Sequence, residues 1–408
     1  MSIAPTILVL NSGSSSLKFA LYAADHCTGR GTITGIGQKA SLSAKGELFT
    51  NKTFTSLALG DECHTTTDAT RILINWIKAF LPPNNLAAVG HRVVHGGDLT
   101  KSMRVTPDLM GQLKSLSALA PLHQPYNIES IRLIAELYPD IPQVACFDTV
   151  FHNTIEPLHR CFALPRRWYD QGVKRYGFHG LSYEYIAGRL SEIAPRAFAG
   201  STIVAHLGSG ASLCALKNGN SFDVSTGFSA LDGLVMGTRP GTLDAGVVLY
   251  FLQEAQFDAK TISEMLYLES GLLGVSGISS DMAKLLASQE PTARDAIDLF
   301  CLRIIQQAGG LISLLGGIDA IVFTGGIGEH ATSIRTQVCK SLEWIGVELD
   351  VEKNNEAKSN QETLLASPRS KVDIWLIPTD EESVIAHHTR VVISKIPLED
   401  NNAVAWPL

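Results

Sequence analysis

An apolar run, a small-residue turn and a second apolar run occur twice in this chain, about two hundred residues apart. The first copy is Ile7-Leu-Val-Leu-Asn11-Ser-Gly-Ser-Ser-Ser-Leu-Lys18-Phe-Ala-Leu21. The second is Ile203-Val-Ala-His206-Leu-Gly208-Ser-Gly210-Ala-Ser-Leu-Cys-Ala-Leu216. Each run has strand length, and the turns between them are rich in Gly and Ser. Such turns let backbone N–H groups and hydroxyls approach a ligand closely. One copy alone reads as a plain hairpin. Two copies suggest a duplicated domain with a phosphate-bearing ligand between the halves.

The 408 residues are enough for two or three domains, and the 45% hydrophobic content supplies their cores. A formal charge of −7 argues against a nucleic-acid surface. No uninterrupted apolar run reaches the length of a membrane span, so no transmembrane helix is expected. The stretch Met1-Ser-Ile-Ala-Pro-Thr lacks a basic region followed by an apolar core, which argues against a secretory signal. The seven cysteines are scattered and form no C-x-x-C pair. They read as thiols in a reducing cytoplasm. The twelve histidines show no metal-ligand spacing.

The order of elements is α/β. Strands are expected at 6–10, 17–22 and 31–37, a helix over 64–81 that stops before Pro82-Pro83, and a strand over 86–94. Helical stretches follow near 107–119 and 126–138, then a buried strand, Gln143–Phe147. The plan then restarts. Strands are expected near 201–206, 211–217, 221–225 and 319–323, with helices at 243–255, 261–269 and 291–315. A last strand, Val372–Ile377, leads into Thr379-Asp-Glu-Glu382, a capping-box pattern that should open the final helix. A linker is expected around 149–157, and polar residues 352–370 read as a surface excursion.

Several constellations could carry chemistry. Gly90-His-Arg92-Val-Val-His95-Gly-Gly97 presents an arginine at a strand end, and Met236-Gly-Thr-Arg239-Pro-Gly241 presents another inside a turn. The planar guanidinium fork suits carboxylate or phosphate, although either arginine alone could be a surface residue. In Arg175-Tyr-Gly-Phe-His179-Gly-Leu-Ser182, His179 sits on a turn where it could donate to a charged oxygen or serve a structural role. Asp148 directly follows a buried strand, where active-site acids and helix caps both occur. Phe323-Thr-Gly-Gly326-Ile-Gly328-Glu-His330 is a Gly-rich turn that only loosely resembles G-x-G-x-x-G, and no P-loop motif is present.

Taken in order, these motifs resemble the acetokinase family, whose superfamily includes sugar kinases, heat-shock ATPases and actin. The resemblance runs from about Ile7 to about His388. It rests on seven motifs: Asn11–Lys18, Gly90–Gly97, Ala120-Pro-Leu-His-Gln-Pro125, Phe147-Asp-Thr-Val-Phe-His152, Tyr176-Gly-Phe-His-Gly180, Met236–Gly241 and Gly325-Gly-Ile-Gly-Glu329. A chance match of all seven in order is negligible. The resemblance implies a duplicated βββαβαβα fold, actin-like and ribonuclease H-like, with an interdomain active-site cleft. Residues 1–150 with 380–408 would form one domain and 151–379 the other, which would carry the nucleotide-binding segments. It also implies a homodimer that uses ATP, ADP and Mg²⁺ or Mn²⁺, while the charge, cysteines and apolar runs read above add the expectation of a cytoplasmic protein that binds neither nucleic acid nor membrane.

The family's roles transfer by position. Arg92 and Arg239 match its two active-site arginines, His179 its transition-state histidine and Asp148 an essential acid. Asn11 and Glu381 match residues near the metal. Lys18, the run His206, Leu207, Gly208, Ser209 and Gly210, the run Asp281, Met282 and Ala283, and the run Gly326, Ile327, Gly328, Glu329 and His330 match nucleotide-binding positions. His123 matches a further active-site histidine. Val94, Leu122, Phe178 and position 230 match the pocket around the substrate methyl group. Four positions depart from the family pattern. Ser209 and His330 replace Asn, Ala283 replaces Arg, and Ala230 replaces Pro. The first three bear on nucleotide preference, the last on acid selectivity.

A carboxylate acceptor is already ionised at neutral pH, so phosphoryl transfer to it needs no general base. The protein must bring two anions together and stabilise charge on the equatorial oxygens. Asp148 is therefore expected to organise rather than to accept a proton. The expected reaction is reversible in-line transfer of the ATP γ-phosphate to acetate, giving acetyl phosphate and ADP. A propionate-directed member of the family would share every motif. An actin- or heat-shock-type ATPase would hydrolyse nucleotide without a small acid.

Overall fold

Seven consecutive buried residues, Thr6–Ser12, form β1 and take the centre of a sheet. A strand covered on both faces must be apolar throughout, as this one nearly is. A computed structural model describes residues 5–49 and 52–394 of the chain. The chain forms two compact units. One runs up to Val150 and resumes at Asp380, and the other is Phe151–Thr379.

The first unit holds β1, β2 (Ser16–Ala23), β3 (His26–Thr34), β4 (Ser41–Lys45), β5 (Phe54–Ala58), β6 (Leu86–Val93), β7 (Met103–Arg104) and β8 (Gln143–Phe147). Their order across the sheet is β5-β4-β3-β2-β1-β6-β8-β7. β1 pairs antiparallel with β2 and parallel with β6, and β6 pairs parallel with β8. The helix Thr66–Lys78 opens with a capping box between Thr65 and Asp68 and buries Leu73, Ile74 and Ile77 against Leu8, Leu10 and Leu17. The helix Glu381–Ser394 crosses Gly90 so closely that a Cβ there would lie 2.3 Å from Thr389 Oγ1. Only glycine allows that approach.

The second unit holds β9 (Ser201–Leu207), β10 (Ala211–Lys217), β11 (Asn220–Val224), β12 (Ala320–Thr324), β13 (Thr363–Leu364) and β14 (Asp373–Leu376), in the order β11-β10-β9-β12-β14-β13. Within it, β11-β10-β9-β12-β14 repeats the arrangement β3-β2-β1-β6-β8. In each, three strands form an antiparallel meander and two more join in parallel. The chain is thus a duplicated α/β fold, actin-like in class. The helix Pro291–Leu315 is long and apolar enough to cross a membrane by length and composition. It buries Ala293, Phe300 and Ile304 in the apolar cluster of this unit.

Several boundaries differ from the sequence expectation. The third strand occupies His26–Thr34 rather than 31–37, because Gly35 and Gly37 take positive φ and turn the chain. β4 and β5 lie where no strand is expected. β5 is exposed almost throughout and so carries no apolar alternation. The helix Gly180–Ile193 is also additional. Residues 352–370 are not wholly a surface excursion, since Leu365 and Asn354 are buried. The Gly-rich turn after β12 is the short helix Gly325–His330.

Candidate active site

In the first unit the chemistry gathers at the carboxyl ends of β1, β6 and β8, where open α/β sheets place ligands. Arg92 is on β6 and Asp148 directly follows β8. Arg92 Nε donates to Asp148 Oδ1 at 3.0 Å, and Nη2 donates to Oδ2 at 2.6 Å. The pair is bidentate and Asp148 is buried. Arg92 Nη1 also donates to Asn11 Oδ1 at 3.2 Å. Glu381 Oε2 lies 3.8 Å from Arg92 Nε and accepts from Asn11 Nδ2 at 3.4 Å. Burial works against the Arg92 charge, but the carboxylates of Asp148 and Glu381 outweigh it and its pKa rises. Asp148 therefore holds a guanidinium in place. Val94 is buried, and its backbone N–H donates to Asn127 Oδ1 at 3.1 Å. Leu122 and His123 are half-buried just before the helix Gln124–Leu137.

The final helix is not capped as its sequence suggests. Asp380 Oδ1 accepts from Ser383 N at 3.2 Å, so Asp380 is the cap and not Thr379. The Thr379 hydroxyl is instead 2.8 Å from Ser182 Oγ. Glu382 is left with no capping role, and burial, with Glu381 close by, pushes its pKa up. Lys18 stands opposite Asn11 on β2 and lines a cavity of about 340 Å³ with Arg30, Lys45 and Glu382.

In the second unit His179 precedes the helix Gly180–Ile193 with φ of 59°, a left-handed conformation that a histidine adopts only where its surroundings hold it. Its ring stacks on His206 at 4.4 Å between centroids, and His206 Nδ1 is 2.8 Å from Ser182 Oγ. His179 Nδ1 is 2.8 Å from Ser212 Oγ on β10. Arg239 Nη1 donates to the carbonyl oxygen of Ala230 at 2.7 Å. A Cβ built on Gly210 would lie 3.1 Å from Arg239 Nη2 and 3.1 Å from His179 Nε2. The two nitrogens thus lie within reach of one point above the Gly-rich hairpin. Phe178 and Ala230 are both buried nearby in sequence.

Beside this hairpin a cavity of about 670 Å³ is lined by Gly208, Ser209, Asp281, Met282, Ala283, Gly326, Ile327 and His330, among others. Three separate sequence segments therefore meet in one cavity large enough for a nucleotide. Not every expected nucleotide position lines it. Lys18 belongs to the other unit and lines a different cavity. Leu207 and Gly328 are buried inside the fold. Glu329 Oε1 accepts from the backbone N–H of Gly325 at 2.9 Å and of Thr379 at 3.2 Å, which ties the loop down. Asp281 Oδ1 accepts from Ala283 N at 2.9 Å and caps the short helix Met282–Ala287.

Sequence reasoning missed two polar neighbours of His179. Tyr183 is one helical turn beyond it, and Ser212 lies across the hairpin. Both are fully buried. The spacing His179-x-x-x-Tyr183 could have signalled the first, but only strand register reveals the second.

A sequence model of the Acetokinase family matches residues 6–387. An acetate kinase of Rhodopseudomonas palustris is 50% identical over 390 residues, which cover 94% of this chain and 97% of that protein. A crystal structure of Porphyromonas gingivalis acetate kinase is similar with a TM-score of 0.83 at 34% identity, covering 96% of this chain and 100% of that one. A propionate kinase from Francisella tularensis gives a TM-score of 0.85 at 35% identity, covering 95% of this chain and 100% of that one.

Proposed function

The chain belongs to the acetokinase family, and we propose from that premise that it is an acetate kinase, which transfers the γ-phosphoryl group of ATP to acetate reversibly, giving acetyl phosphate and ADP. One observation carries the mechanistic part of this reading: His179 Nε2 and Arg239 Nη2 face the same point over Gly210. Donors fixed in advance stabilise the charge of a phosphoryl group in transfer without reorganising at the moment of reaction. Arg92, held by Asp148, is the partner for the acetate carboxylate. Val94, Leu122, His123, Phe178 and Ala230 are assigned to the acid, and the 670 Å³ cavity to the nucleotide.

Asn11 and Glu381 are assigned to the metal. Among the described residues no group of three or more His, Cys, Asp and Glu side chains is placed to hold an ion. Two side chains fit magnesium, which keeps several waters and takes the rest of its shell from substrate phosphates. Bound there, it would neutralise phosphate charge. Cytoplasmic placement and a homodimer belong to the same reading. None of the seven cysteines is in a disulfide. The helix Ala245–Gln253 exposes Leu249, Tyr250 and Leu252, which supports a protein partner on that face.

A propionate-directed enzyme is the second reading. Ala230 favours it, because alanine leaves room where relatives carry proline. A methylene is worth only about 1–3 kcal/mol of discrimination in a fitted pocket. The deciding experiment traps acyl phosphate with hydroxylamine in the presence of ATP and acetate, propionate or butyrate. Acetyl hydroxamate as the main product is expected. ATP hydrolysis without hydroxamate from any acid would sink the proposal.

A further inference from the structure

The hydrogen bonds behind His179 decide which of its nitrogens carries the proton. Tyr183 is buried, and burial holds its phenol pKa well above the ordinary value, so the O–H stays intact. Tyr183 Oη is hydrogen-bonded to Ser212 Oγ, and Ser212 Oγ is 2.8 Å from His179 Nδ1. The two contacts must be served by the two hydroxyl protons and, in one tautomer, by an Nδ1 proton. If Nδ1 carries a proton, it donates to Ser212. Then Ser212 and Tyr183 have only their mutual contact left for two hydroxyl protons, and one proton is buried without an acceptor. If Nδ1 is bare, Tyr183 donates to Ser212 and Ser212 donates to Nδ1, and every proton on that side of the ring is used. A buried donor left unmet is the costly outcome.

We propose that Tyr183 and Ser212 are positioning residues that fix His179 as the tautomer protonated on Nε2. The inference rests on the role given to His179 above. It means that His179 offers an N–H, not a lone pair, to the point it shares with Arg239 Nη2. A lone pair there would repel a phosphoryl oxygen. The left-handed backbone at residue 179 and the stack on His206 fix the plane of the ring. The two hydroxyls then fix its polarity. Tyr183 needs no contact with substrate to do this, since it acts from the first turn of the helix that His179 begins.

The test is long-range ¹H–¹⁵N correlation on the histidine-labelled whole enzyme, with the His179 signals assigned by their loss in His179→Gln. A pyrrole-type Nε2 and a pyridine-type Nδ1 are expected. The opposite pattern in the wild-type enzyme overturns the proposal, and this measurement needs no variant to fold. Ser212→Ala removes the hydroxyl that meets Nδ1, so it should mix the two tautomers and lower kcat by about tenfold, the scale of one buried hydrogen bond, with KM for both substrates unchanged. Full kcat in a folded Ser212→Ala enzyme also overturns it. Turnover by His179→Gln is a separate question. If that variant works normally, the role assigned to His179 fails, while the tautomer measurement still stands on its own.

Discussion

Gly210→Ala places a methyl group where the site gathers its donors. The new Cβ would sit 3.1 Å from both His179 Nε2 and Arg239 Nη2, and no backbone atom comes closer than these. Gly210 is not among the glycines with positive φ, so alanine can adopt its backbone conformation. The side-chain ends can yield by a few tenths of an ångström. Stability should therefore change little, within the roughly 0.5 kcal/mol usual for substitutions that break no packing. Activity should change much more. The methyl occupies the point where a phosphoryl oxygen would meet both nitrogens, and displaces it by about 1 Å. A misplacement of that size costs about a hundredfold in rate. The assay is hydroxamate formation from ATP and acetate at saturating substrate, with thermal unfolding run in parallel. A large fall in kcat with an unchanged Tm is expected. Near-normal kcat would refute the claim that the two nitrogens act at this point. A collapse of Tm would refute the claim that the two side-chain ends can yield to the methyl group.

Arg239→Ala should lower kcat by roughly 10³-fold or more, as loss of a phosphoryl-clamping arginine does. Arg92→Ala should in addition raise the apparent KM for acetate, and normal values in steady-state kinetics would count against either role. Asp380→Ala removes the cap of the last helix and the partner of Arg30, so it should cost about 1 kcal/mol in urea unfolding and leave the magnesium requirement intact. Glu381→Ala should do the reverse, raising the magnesium concentration needed for half-maximal rate. Gly188 is exposed in the middle of the helix Gly180–Ile193 with open space around its Cβ, and Gly188→Ala should stabilise by about 1 kcal/mol. His91 and His152 are held neutral by burial with pKa values of about 4. The unfolded chain protonates them near pH 6.5, so it binds more protons than the folded one below that pH. Stability should be full above about pH 6.5 and fall towards about pH 4. A flat urea midpoint over that window would show that these two imidazoles are accessible.

What the sequence reveals of this fold depends on how local each signal is. β1 and β9 are legible because a strand buried on both faces must be apolar along its length, and the Gly/Ser turns after them mark hairpins. Arg92 and Arg239 are legible because each stands in a motif of small residues. β5 is not, since an exposed edge needs no apolar alternation, and β4 between it and β3 is only five residues long, with Leu42 and Ala44 its two buried positions. The helix after His179 has its apolar residues at helical spacing (Tyr183, Ile186, Ala187, Leu190), but glycines at 180 and 188 obscure it. The cap of the last helix is off by one residue because Thr379 and Asp380 are equally good caps in isolation. Contacts elsewhere separate them: Ser182 and Glu329 engage Thr379, and Arg30 engages Asp380. Ser212 is the extreme case. In Ala211-Ser-Leu-Cys it is a small polar residue within an apolar strand. Its meaning comes from the β9–β10 register, which sets it opposite His206, and from the turn that brings His179 onto it. Residues that touch a substrate sit in motifs because the chemistry limits their type and their neighbours. Residues that only orient them are limited by geometry alone. Any hydroxyl at the right place would serve, so such residues become visible only once the chain is folded.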